Sequence, residues 1–145
     1  MINIKSDEEI RLMQIAADIA SECMQIIGSK VKVGVETGEL DKAAEDFILS
    51  KGAHPSFKGY HGYPASICAS VNEEVVHGIP SGRKLQNGDI IGIDLGAYIN
   101  GYHSDMARTF IPGEASQDVN KLVQCAKDCF DEAVKVMYPG NRLGD

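Results

Sequence analysis

Asn100-Gly101 is the feature that most restricts what this chain can become. It sits between residues 89–98 and 102–111, two runs that read as β-strands. Both residues of a two-residue hairpin turn need positive φ, which Asn and Gly accept. Such a turn sets the register, because a slip of one residue would turn every side chain to the other face. Ile99 then stands opposite Tyr102, Leu95 opposite Met106, and Ile91 opposite Phe110, and these pairs make an apolar face. In the same register Asp94 stands opposite Ala107 and Asp105 opposite Gly96. The two aspartates share the other face on a diagonal, with Cβ atoms roughly 7–8 Å apart or less.

Two carboxylates so placed, with small residues opposite them, repel unless something compensates. The candidates are a shared proton, a basic side chain or a cation. Parity puts Arg108 on the apolar side, whereas His103 falls on the aspartate face and could pair with one carboxylate. A divalent metal is the economical counter-charge, and a carboxylate site suits Mn, Fe, Co, Zn or Mg. The alternative is a pair of strand-edge aspartates facing solvent or bonded to nearby loops.

The rest of the chain supplies a frame for this ribbon. Its 145 residues, 43% apolar and 24% charged, suit one domain, 1–145, with one core. A net charge of -7 argues against nucleic acid or an anionic membrane as the main partner. No apolar run approaches the roughly 20 residues of a membrane span. The acidic opening MINIKSDEEI has no apolar signal core, so a cytoplasmic location is expected. Cys23, Cys68, Cys125 and Cys129 form no CxxC pair. They read as small core thiols, although Cys125 and Cys129 are spaced to share a zinc.

Ser6 and Glu9 form a capping box ahead of apolar positions 10, 13, 16, 17, 20, 24 and 27, which predicts a helix ending near Gly28. Thr37 is the expected cap of a second helix that buries Leu40, Ala43, Ala44, Phe47 and Ile48 and stops at Gly52. Residues 52–82 read as loop, rich in Gly, Pro, His and Tyr, around a strand at 66–72. A third helix follows Ser116 and runs to Pro139-Gly140. The final PGNRLGD reads as a joint into a further element, so the chain is expected to be part of a longer protein.

Three stretches carry a resemblance: GYHGYPASICASVNEEVVHGIP (59–80), GDIIGIDLGAYINGYHSDMARTF (88–110) and the helix–PG join near 139. Together they are similar to the amino-terminal part of the type I methionine aminopeptidases. That resemblance implies an α/β (α+β) chain forming half of a pita-bread fold, an antiparallel sheet with helices packed on one face. In that fold two halves are related by a pseudo-twofold axis. It implies an aminopeptidase that takes the initiator methionine from nascent chains with a small second residue. Two divalent ions (Co, Mn, Fe or Zn) would be held by two Asp, one His and two Glu.

By the same resemblance, Asp94 and Asp105 are the Asp ligands, and His77 is the catalytic, substrate-binding histidine near the scissile amide. Tyr60, Tyr63 and Cys68 line the methionine pocket, and His61 stands at its rim. Read from the residues alone, His77 is a loop histidine beside Gly78 and Pro80, and the tyrosines could equally pack a loop onto the core.

The remaining ligands and the general base belong to the family's later half, which finds no match in this sequence. The chain alone is thus expected to bind metal weakly, to have little or no activity, and to dimerise through the face that the other half would cover. Two other readings are a binding module that lost catalysis and a peptidase that cleaves before proline.

Overall fold

Ser6 begins the first helix as its sequence requires. Its hydroxyl accepts from Glu9 N at 3.3 Å while its own N–H donates to the Glu9 carboxylate at 2.7 Å. In the computed structural model, which describes residues 2–145, helix α1 runs Asp7–Lys30. It buries Ala16, Ile19, Ala20, Cys23, Met24 and Ile27, a stripe at helical spacing. Ile10 and Met13, expected on that stripe, stay exposed. Gly28 does not stop α1: it lies inside the last turn, where a Cβ would stand 2.5 Å from Phe110 Cε1. The glycine is there for close packing.

Helix α2, Thr37–Ser50, buries Leu40, Ala44 and Ile48. Thr37 is its first residue rather than its cap, a position held by Glu36. The buried Thr37 hydroxyl instead exchanges hydrogen bonds with the backbone of Ser81, at 3.1 and 2.9 Å. It therefore ties the loop after residue 72 to the helix. Gly52 follows the end of α2 at φ +73, as its placement predicts.

The strands are β1 (His54–Pro55), β2 (Ile67–Val71), β3 (Ile91–Leu95), β4 (Ala97–Ile99), β5 (Tyr102–His103) and β6 (Met106–Phe110). They form two antiparallel sheets, ordered β1-β4-β5 and β2-β3-β6. The turn and register are those predicted: Ile99 pairs with Tyr102, Leu95 with Met106, Asp94 with Ala107 and Ile91 with Phe110. What differs is continuity, because the long ribbon breaks at Gly96 and at Ser104–Asp105 and feeds both sheets. A Cβ at Gly96 would lie 2.3 Å from the Ser104 carbonyl oxygen, so only glycine lets the strands pinch there. Ser56 N donates to Gly96 O (2.9 Å) and Ser104 N to Ala97 O (2.8 Å), which fixes the break.

Alternation along β2 and β3 divides two environments. Ile67, Ala69, Val71, Ile91, Ile93 and Leu95 are buried with residues of α1 and α2 in the core. Cys68, Ser70, Gly92 and Asp94 turn to the opposite face. The chain divides into two units, Met1–Glu114 and Ala115–Asp145. The second holds α3 (Gln117–Lys135), capped by Ser116, whose hydroxyl accepts from Val119 N at 3.2 Å. No residue of α3 is buried, and the helix ends before the predicted Pro139. Cys125 and Cys129 are exposed on it, so they are not the core thiols expected, whereas Cys23 and Cys68 are buried.

Candidate metal centre

Asp94 is the middle of a three-residue row across the sheet, with Cys68 of β2 on one side and Ala107 of β6 on the other. The backbone holds it at the centre of the sheet and half-buries its side chain. One carboxylate oxygen, Oδ1, is buried with no hydrogen-bond partner. A buried polar atom left without a partner is costly and calls for an explanation. Burial pushes the Asp94 carboxyl up to about 6, and the neighbouring Asp105 charge adds to the rise, while His77 opposes it. The predicted pair of carboxylates thus shares one electrostatic environment, which the charge of the loop histidine also reaches.

Asp105 itself is exposed and sits in the gap just before β6. It lines a hollow of about 290 Å³ together with Ser56, Phe57, Tyr60, His103 and Ser104. Tyr60 therefore shares a cavity with Asp105. His61 does not line it: at φ +47 it stands exposed, edge-on to the Tyr60 ring at 4.3 Å. His103, expected to pair with a carboxylate, takes other partners. Its Nδ1 lies 3.0 Å from Ser56 Oγ, and its ring lies over Tyr98 at 4.4 Å, so its contacts are with a serine and a tyrosine.

Tyr63 and Cys68 come together at the rim of the carboxylate face. Burial raises the Tyr63 phenol well above the usual range, with the Cys68 sulfur adding to the effect. Burial also raises the Cys68 thiol; Tyr63 works against that rise, and Asp94, Asp105 and Asp41 add to it. Tyr63 is a hydrogen-bonding tyrosine: its hydroxyl reaches Ile67 O at 3.0 Å and Gly78 O at 3.1 Å.

Asp41 escaped the sequence reading. From α2 it accepts the N–H groups of Ser66 (2.8 Å) and Ile67 (3.0 Å), fixing the start of β2 one residue ahead of Cys68. Its only sequence signal is a carboxylate one turn into a helix, which usually means a solvated face. Among the described residues, no group of three or more His, Cys, Asp and Glu side chains is placed to hold a metal. The chain offers a carboxylate pair. An unpartnered, desolvated carboxylate oxygen beside a second carboxylate fits a divalent cation as part of a larger ligand set.

Residues 11–145 match the model of metallopeptidase family M24. The methionine aminopeptidase of Clostridium acetobutylicum is 51% identical over 146 residues, covering 100% of this chain and 58% of that protein. The chain belongs to metallopeptidase family M24. Family M24 implies use of a divalent metal, in keeping with the carboxylate pair. Methionine aminopeptidase 1 of Bacillus subtilis is 45% identical over 145 residues, again 100% of this chain and 58% of the other.

The crystal structure of methionine aminopeptidase from Rickettsia prowazekii matches with a TM-score of 0.97 at 35% identity, over 100% of this chain and 58% of that one. The fold is thus the α/β pita-bread type, of which these residues form about half. The chain spans 58% of the length of these two bacterial relatives.

Proposed function

We propose that these 145 residues supply the amino-terminal share of a metal-dependent aminopeptidase that removes the initiator methionine from nascent proteins with a small second residue. The observation that carries this reading is the carboxylate pair Asp94 and Asp105, with Oδ1 of Asp94 buried and unpartnered. Asp94 and Asp105 would hold divalent metal, and His77 would bind the substrate close to the amide to be cut. Tyr60, Tyr63 and Cys68 would receive the methionine side chain, whose thioether packs well against aromatic edges and sulfur, with His61 at the rim. When bound, the metal supplies a water of lowered pKa and polarises the scissile carbonyl.

What the chain's own groups contribute is placement. The β2-β3-β6 row orients Asp94, the pinch at Gly96 brings Asp105 into its electrostatic environment, and the loop carrying His77 would present it to the substrate. The identity of the ion (Co, Mn, Fe or Zn) and the cytoplasmic location belong to this proposal. So does a peptide amino terminus as partner, in place of nucleic acid or membrane. No helix among the described residues is long and apolar enough to cross a membrane.

With two ligands, residues 1–145 bind metal weakly and hydrolyse peptide slowly or not at all. Calorimetric titration with Mn(II) tests the first point: wild type should show saturable weak binding that Asp94→Ala and Asp105→Ala both abolish. Equal heats from all three proteins would sink the proposal. Replacing the matching part of the Clostridium acetobutylicum protein with residues 1–145 tests the activity. Hydrolysis of Met-Ala-Ser by that chimera, with Xaa-Pro peptides left intact, is the expected result.

A second reading, a non-catalytic module that self-associates, is favoured by the exposure of Leu122, Phe130, Val134 and Met137 on and just after α3. Sedimentation at micromolar concentration decides it: a dimer supports self-association, and a clean monomer removes it.

A further inference from the structure

Ser70 lies on β2 two residues beyond Cys68 and on the same face of the sheet. Its hydroxyl accepts the N–H of Gly78 at 3.1 Å. The other side of Gly78 is held as well: its carbonyl accepts from Ala69 N at 2.8 Å and from the Tyr63 hydroxyl at 3.1 Å. The approach is close enough that a Cβ at position 78 would lie 2.4 Å from the Ala69 carbonyl oxygen. Glu74 braces the same loop, accepting from Val71 N at 2.8 Å and pairing with Arg83 Nη1 at 3.1 Å.

His77, immediately before this clamp, stands at φ +60. A residue with a Cβ occupies that region at a cost of order 1–3 kcal/mol and stays there only when its surroundings hold it. The surroundings here are bonds to the Gly78 backbone, so the clamp fixes the main chain of His77 and with it the direction of its Cα–Cβ bond. Ala69, to which Gly78 is tied, is the strand neighbour of Cys68, and Cys68 stands opposite Asp94.

We propose that Ser70 is a positioning residue for His77: its hydroxyl pins the His77–Gly78 peptide against β2 and so keeps the imidazole on the side of the sheet where Cys68 and Asp94 project. This rests on the reading of His77 as the substrate-binding histidine. Ser70 itself touches no substrate. Tyr63 holds the following peptide, Gly78–Ile79, through the Gly78 carbonyl, a duty separate from the pocket role proposed for it.

The test uses isotope-labelled residues 1–145 and two signals: amide hydrogen exchange, and the ring resonances of the four histidines. Ser70→Ala should speed exchange at Gly78 roughly tenfold and shift the His77 ring signals. The rings of His54 and His61 and the amides of α1 should stay as they were. Ser70→Thr, which keeps the hydroxyl, should restore the wild-type signals. Tyr63→Phe should move the same His77 signals by loosening the other side of the clamp.

Unmoved His77 signals in Ser70→Ala, no restoration by threonine, or equal acceleration of α1 amides would each overturn the assignment. Neither signal depends on hydrolysis. If they move as stated while the chimera leaves Met-Ala-Ser intact, the peptidase reading fails and the positioning role stands.

Discussion

Asp94 holds an awkward position for a carboxylate, and its discomfort is measurable. Its folded pKa is raised from 3.8 to about 6, by burial first and by Asp105 second. Between those values the folded chain keeps a proton that the unfolded chain has released, so stability falls as pH rises through that window. Asp94→Asn removes the charge and keeps the shape. At pH 7 in chelator, this variant should be more stable than wild type by about 1–2 kcal/mol once solvent screening is allowed for. At pH 3.5, where Asp94 carries its proton, the two should converge. Urea midpoints at the two pH values check this; a variant no more stable at pH 7 would mean that the carboxylates are compensated within the chain. Adding Mn(II) should stabilise wild type and leave the variant unmoved.

At the scale of elements, two glycines look alike in sequence and differ in kind. Gly28→Ala meets the edge of the Phe110 ring, a side chain that can shift, and should cost about 1 kcal/mol. Gly96→Ala meets the Ser104 backbone, which cannot yield without parting β4 from β5, and should cost about 3 kcal/mol or more. Thermal melts of the pair rank them, and the reverse order would contradict the pinch as described. Asp41 joins elements instead of filling a gap. Asp41→Ala strips acceptors from two N–H groups at the head of β2 and should cost about 2–3 kcal/mol, whereas Asp41→Asn, which keeps one acceptor oxygen, should cost less. Denaturant unfolding of both variants tests the difference.

At the scale of the whole chain, the core and the candidate site lie in the first unit. The core cluster spans Ile19 to Ala97, with Met106 and Phe110 packed against it, and α3 buries no residue. Removing residues 115–145 should therefore leave the unfolding free energy from urea titration within about 0.5 kcal/mol of the full chain, while the circular dichroism loses the helix of Gln117–Lys135. A collapse of that free energy would show that the second unit carries core stability. The apolar stripe of α3 was legible as a helix pattern. Periodicity reports which face wants burial, and it is silent on what, if anything, covers that face.

The capping box at Ser6, the Asn100-Gly101 turn and the alternation along β3 and β6 are local rules, and they were enough to specify α1 and the hairpin register. They hold because caps, tight turns and strand parity depend on residues only a few positions apart. Tertiary structure decided the rest. It put Gly28 inside a helix because Phe110 comes from 82 residues away, and Thr37 onto Ser81 instead of a cap. It divided one ribbon between two sheets at Gly96, gave His103 to Ser56, and seated Gly78 on Ser70. Gly28, Thr37 and His103 depend on distant segments meeting, and no short window holds both partners; Gly96 and Gly78 meet partners eight residues away, but only because the chain folds back on itself there.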